Sequence, residues 1–204
     1  MMMKMRALYL LLAMSLGLMS CSQQAKLSES THNKLKLENL SGTYLDLEPF
    51  SYEGAWARRE LQFQDGKWGL VFTMGLDPKL ENQVFQFRIF GRYEVQNPST
   101  VVAGAFETLF WEDKILVTAL TEDENLVADF GLGDCTLGYQ VETDISATGC
   151  AFWAPLSECN EDHDLVLLDE AGRLYFGERP EDNNMCTPDR RPTKLTFPLT
   201  KVKG

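Results

Sequence analysis

Histidine is almost absent from this sequence: His32 and His163 are the two in 204 residues. Phosphate-cradling glycine loops, the dinucleotide fingerprint and a Gly-x-Ser-x-Gly elbow are missing as well, which removes the nucleotide-binding and serine-hydrolase readings that rest on them. Basic residues are scarce. The 19 Lys and Arg face 30 Asp and Glu, a net charge of −11. Nucleic-acid binders need a basic face to displace counterions from phosphates, so nucleic acid is excluded as a partner. No apolar run approaches the roughly 20 residues of a membrane-spanning helix. With 44% hydrophobic residues the chain can nevertheless bury a core, which excludes wholesale disorder. At roughly 150 residues per domain, the length suits one domain and a tail.

The longest apolar run, Ala7 to Met19, follows a basic start at Lys4 and Arg6 and reads as a cleaved export signal over residues 1–20. Its end, Leu18-Met19-Ser20-Cys21, resembles the bacterial lipobox. The resemblance implies cleavage before Cys21 and its acylation on sulfur and amino group by palmitate-class chains. Two or three such chains anchor stably where one is marginal. The expectation is therefore a lipoprotein held to a membrane of the bacterial envelope. Ser22, in place of an inner-membrane retention aspartate, points to the outer membrane. Without Lys4 and Arg6, the remaining chain carries 17 basic and 30 acidic residues, a net charge of −13. Residues 21–39 are polar with no sustained apolar stripe and read as a flexible tether spanning roughly 25 Å.

From Leu40 to the end at 204, alternation takes over and predicts a single all-β domain. Glu60 to Gln64 alternates, Asp65-Gly66 supplies the favoured two-residue hairpin turn, and Lys67 to Phe72 returns. Further strands are predicted over Val84–Val95, Thr100–Trp111, Lys114–Leu120, Leu126–Phe130, Leu165–Leu168 and Arg173–Gly177. Asn97-Pro98-Ser99, Glu112-Asp113 and the acidic stretch Thr121 to Asn125 are read as the turns between them. This many short strands predict an antiparallel meander closing into a complete or partial β-barrel, with few or no long helices. Closure also removes the exposed edges that are a liability for long Phe-rich strands. Phe85, Phe87 and Ile89 line one face of their strand, and with Phe63, Trp68 and Phe72 they form the expected apolar interior. Such a wall suits a packed core or an apolar ligand pocket.

Cys21 aside, four cysteines remain: Cys135, Cys150, Cys159 and Cys186. An even number in an exported chain reads as two disulfides, with three pairings open. Sequential pairing would close loops of 16 and 28 residues, each worth roughly 3–4 kcal/mol on the chain-entropy model. No paired Cys-x-x-Cys spacing suggests zinc, and no metal or cofactor is expected. Glu161-Asp162-His163-Asp164 has the residue types of a metal site or a general base, but such a run is more often a solvated acidic loop. Glu107, alternating with Ala105 and Leu109, reads as a rim or solvent carboxylate.

Several short motifs recur in a specific order: Gly91-Arg92-Tyr93, Pro98-Ser99-Thr100, Gly104-Ala105-Phe106-Glu107, Cys135, Asp144, Ala147-Thr148-Gly149-Cys150, Leu174 to Pro180, Arg191-Pro192-Thr193 and Pro198-Leu199. Together they resemble the domain of the adenomatosis polyposis coli down-regulated (APCDD) family, over about residues 40–201 and most firmly from Gly91 onward. The resemblance implies a β-barrel-like domain with an apolar cavity suited to a lipid chain. It also implies a Cys135–Cys150 disulfide, which leaves Cys159 and Cys186 to pair. Animal members carry two such domains, a transmembrane anchor and a Wnt-inhibiting role; one domain behind a lipid anchor does not inherit that role. The expected function is non-enzymatic binding of an acyl chain or similar apolar ligand. The alternative is a structural or interaction lipoprotein with a filled barrel, its protein partner unidentified.

Overall fold

The computed structural model describes residues 28–202. The expected signal sequence and the expected acylation site, Cys21, lie outside the described residues. After a helix over residues 28–38 (α1) come β1 (Gly42–Leu45), β2 (Phe50–Tyr52), β3 (Ala55–Gln64), β4 (Lys67–Gly75), β5 (Gln83–Pro98) and β6 (Phe106–Ala119). A short helix α2 (Glu124–Asp129) precedes β7 (Thr143–Asp144), β8 (Glu161–Leu168), β9 (Leu174–Phe176) and β10 (Thr200–Lys201). Among the described residues no helix is long and apolar enough to cross a membrane, which says nothing of the strands.

The strands form one antiparallel sheet in the order β10-β1-β3-β4-β5-β6-β8-β9, with β2 on β3 and β7 on β6. It curls into a nearly closed barrel with one unsealed seam. Two isolated bridges, Leu174–Leu199 and Gly177–Leu195, cross from β9 to the segment leading into β10. The expected Asp65-Gly66 hairpin joins β3 to β4, with both turn residues at positive φ (52° and 73°) and Gln64 paired to Lys67. Positive φ at both positions matches the strand twist, which is why Asp-Gly suits this site.

Four local expectations are corrected. Residues 28–38, read as part of a flexible tether, are helical, and Leu37 and Leu40 are buried in the barrel core. The Tyr93 hydroxyl donates to the Leu37 carbonyl at 2.9 Å, satisfying one of the acceptors a helix leaves open at its C-terminal end. So α1 plugs one end of the barrel. Leu126–Phe130, read as a strand, lies mostly in α2; Asp123 caps it by accepting from the amides of Asn125 and Leu126. Glu112-Asp113, read as a turn between two strands, is a bulge inside the continuous strand β6, where the pairing with β5 slips. Residues 100–105, read as the start of a strand, belong instead to the connection between β5 and β6, where the Ser99 amide donates to the Ala105 carbonyl at 2.9 Å.

Both disulfides join the implied partners, Cys135–Cys150 and Cys159–Cys186, with Cα separations of 5.3 and 5.6 Å. The first ties the turn at Gly133–Cys135 to the loop that carries Trp153. The second ties the start of β8 to the C-terminal segment.

Candidate functional site

Directly paired residues in an antiparallel sheet share a face. The register places Phe63 beside Trp68, Phe72 beside Phe87, and Ile89 beside Leu70 and Ile115. Met74 likewise stands beside Phe85. All six residues expected in the apolar interior therefore stand on the inner face of β3, β4 and β5. Their surroundings differ. Phe63, Trp68 and Ile89 are buried in the lower core, packed with Tyr44, Phe110, Leu174 and the α1 plug. Phe85 is buried in a second cluster with Met74, Val127 and Leu132, beneath α2 and the Cys135–Cys150 loop. Phe72 and Phe87 are only half-buried. The part of the expected wall that reaches solvent is thus the row between the two clusters.

That row belongs to a longer aromatic array. Phe197 meets Phe50 with ring centroids 4.8 Å apart, Phe50 meets Tyr52 at 6.1 Å, and Tyr52 meets Phe72 at 5.8 Å. Phe72 and Phe87 stack at 4.9 Å with an interplanar angle of 15°. Phe87 then meets Trp153 edge-on at 4.9 Å, and Trp153 touches Phe152 at 4.2 Å. Every ring in this chain keeps contact with solvent, and its two ends, Phe197 and Phe152, are 45% and 52% exposed. The array crosses the barrel mouth from the seam to the disulfide-tied loop, at the end opposite α1. Isolated exposed apolar residues are ordinary, but a contiguous patch marks an interaction or ligand surface.

One cation stands in the mouth. Arg59 pairs with Phe72 in register, so it points inward. Its guanidinium lies over the Phe197 ring at 4.5 Å and the Phe50 ring at 5.4 Å. The buried Asp46 carboxylate accepts from its Nη2 at 2.8 Å, its Nε at 3.0 Å and its backbone amide at 2.8 Å. This bidentate pairing fixes the arginine as a platform between two rings.

Sequence reasoning gave Phe72 and Phe87 but missed Phe50, Tyr52, Arg59, Phe152, Trp153 and Phe197. The alternation Phe50-x-Tyr52 was the available signal for two of them. Arg59 falls in an alternating run where a charge reads as outward-facing, and Trp153 and Phe197 sit in loops that carry no register.

The Glu161–Asp164 run is divided by the pleat of β8. Asp162 pairs with Phe110 and Asp164 with Thr108, on the inner side; Glu161 and His163 face out. On the outer side His163 is buried. Its Nδ1 lies 3.3 Å from Arg191 Nη2, and its Nε2 lies 3.6 Å from Glu161 Oε2. Burial, reinforced by the Arg191 charge, holds the imidazole below its ordinary pKa. Glu107 is half-buried and pairs with Arg191 Nη1 at 3.3 Å. No group of three or more His, Cys, Asp or Glu among the described residues is arranged to hold a metal ion.

On the inner side the bulge turns Glu112 inward opposite Gly91. Arg179 reaches in from beyond β9 and donates to Asp162 at 2.7 Å and to the Asn183 carbonyl at 2.8 Å. Asp164 accepts from the amides of Leu165 at 2.6 Å and Gly177 at 2.9 Å. Three carboxyl groups thus gather around one guanidinium. Burial, with Asp162 nearby, pushes Glu112 up to about 8; burial pushes Asp164 up to about 7 against the pull of Arg179 and the two amides. The arrangement pins the chain after β9 against the barrel wall. No family model matches this sequence, and no curated protein matches it.

Proposed function

We propose that the protein binds a hydrocarbon chain at the aromatic mouth of its barrel and does so without chemical turnover. The observation that carries this reading is the unbroken contact chain of solvent-touching rings from Phe197 through Phe72 and Phe87 to Phe152. Flat apolar rings held on rigid strands offer a methylene chain a large contact area at little entropic cost. The APCDD resemblance supports the same ligand class, since it implies a barrel suited to a lipid chain. The lipobox-like Leu18-Met19-Ser20-Cys21 supports a place for the protein in the bacterial envelope, anchored through Cys21, most simply at the outer membrane.

Burying each methylene contributes about 0.8 kcal/mol, so affinity should rise about fourfold per added methylene and should not depend on salt. Titration of the protein with fatty-acyl probes of increasing length, followed by tryptophan fluorescence, tests this, with Trp153→Phe to identify the reporting ring. Phe152→Asp, at an exposed position, should abolish the saturable signal while leaving the circular dichroism unchanged. Phe87→Asp should do the same wherever that variant still folds. The packed lower core around Phe63, Trp68 and Ile89 favours a second reading, a filled barrel that presents its mouth to a protein partner. That reading predicts no saturable binding at any chain length.

A further inference from the structure

At the plugged end of the barrel, away from the aromatic mouth, α1 lies across an open cleft of about 390 Å³. Its floor is apolar: Leu35, Leu40, Tyr44 and Leu168. Leu35 is 52% exposed although a buried leucine, Leu37, lies two residues further along the same helix. Around the floor stand Lys36, Lys201 and His32, and no aspartate or glutamate lines the cleft. In a chain with 30 acidic against 19 basic residues, a concavity with two lysines and no carboxylate runs against the overall charge. Neither ammonium has a carboxylate within 4.0 Å among the described residues. Lys201 instead lies over the Tyr44 ring, 5.6 Å from its centroid, which puts the cation at the border between floor and rim.

From this juxtaposition we infer that the α1 cleft is a second binding site, for a single-chain amphiphile with an anionic head. The tail lies on Leu35, Leu40, Tyr44 and Leu168, and the head group, phosphate or carboxylate, meets Lys36 and Lys201. The volume falls within the usual range for small-molecule sites, about 300–1,000 Å³. Attraction to the unpaired lysines makes this site salt-sensitive, unlike a purely apolar surface, because exposed charges are screened within about 10 Å at 0.1 M salt. The site is separate from the mouth and does not rest on the function proposed for it.

Methyl NMR of the leucine- and methionine-labelled full chain in phosphatidylcholine nanodiscs reads both ends of the barrel at once. Octyl phosphate and octanoate are titrated beside octanol and inorganic phosphate. The expected result is saturable shifts at the Leu35, Leu40 and Leu168 methyls. At least one anionic amphiphile should bind tenfold or more tighter than octanol or inorganic phosphate, with weakening between 50 and 500 mM salt. The phosphate and carboxylate arms identify the preferred head group. Lys36→Glu with Lys201→Glu should weaken this binding at least tenfold while leaving the Leu132 and Leu165 methyls unmoved, which shows that the fold is retained. Equal binding of octanol, no response to charge reversal, or shifts confined to Leu70 and Met74 near the mouth would each overturn the inference. The last outcome would still leave the mouth as a chain-binding surface.

Discussion

Replacing Glu112 by Gln should make the protein more stable at neutral pH, against the usual result of altering a half-buried residue. The bulge in β6 turns Glu112 toward the interior, where Asp162 and Asp164 also lie and Arg179 is the one guanidinium among them. That guanidinium already serves Asp162. Burial therefore raises the Glu112 carboxyl from 4.5 to about 8. A carboxyl with a raised folded-state pKa binds its proton more tightly folded than unfolded. Its stabilising contribution is complete below about pH 4.5 and is lost as the pH rises through about 8. Each pH unit within that window costs about 1.4 kcal/mol, so at pH 7 the penalty is about 3 kcal/mol. Glutamine keeps the volume and cannot ionise. Urea unfolding at pH 4.5, 7 and 9 should show the variant and wild type nearly equal at the first. The variant should lead by about 3 kcal/mol at the second and by more at the third, with equal denaturant slopes. A difference that does not vary with pH, or a variant less stable at pH 9, would mean that Glu112 is ionised and held by Arg179, and the argument would fail.

Two further outcomes follow from the same elements. His163 is held below its ordinary pKa by burial and by Arg191, so its contribution has the opposite direction: it is present above about 6.5 and is lost as the pH falls. His163→Gln should flatten the acid limb of stability between pH 6.5 and 4.5, measured by thermal melts across that range, and an unchanged acid limb would contradict the burial argument. Gly91 stands opposite the bulge where a Cβ would overlap the Trp111 carbonyl oxygen, which also accepts from Trp68 Nε1 at 3.1 Å. Gly91→Ala should therefore cost more than about 3 kcal/mol in denaturant unfolding, while Gly66→Ala, which meets no atom, should cost only its turn strain of about 1 kcal/mol.

The legibility of this fold divides along one physical line. A strand that alternates against a buried face, such as Glu60 to Gln64, announces both its conformation and its inward side, and Phe85, Phe87 and Ile89 supply the same signal on one face of β5. The barrel and most of its interior were therefore readable, as was the Asp65-Gly66 turn, whose positive φ values few residue pairs adopt. The bulge was not, because two acidic residues in mid-strand look like a turn unless the partner strand is known. Nor was α2, since Leu126, Val127 and Phe130 suit either element and only the Asp123 cap decides. In α1 the burial rests on Leu37 and on Leu40 just beyond it, too few residues to register as an apolar stripe, and what orders the segment is the barrel end it closes.

The candidate sites were less legible than the fold for a related reason. A core residue announces itself by period, but a mouth is assembled from elements that are distant in sequence. Phe197 comes from the segment before β10, Phe50 from β2, and Trp153 from a loop held by a disulfide. Pairing of β10 with β1, beside β3 and β2, brings Phe197 against Phe50, and the Cys135–Cys150 tie holds the loop that sets Trp153 over Phe87. The same segment also distinguishes the barrel's two ends chemically. The last strand segment carries Phe197 into the aromatic mouth and, four residues later, Lys201 onto Tyr44 beside α1. A segment that must both seal the barrel and furnish groups to each end cannot slip by one residue without turning those groups to the opposite face. Register at the seam, more than any single side chain, is therefore what holds the two candidate surfaces in place.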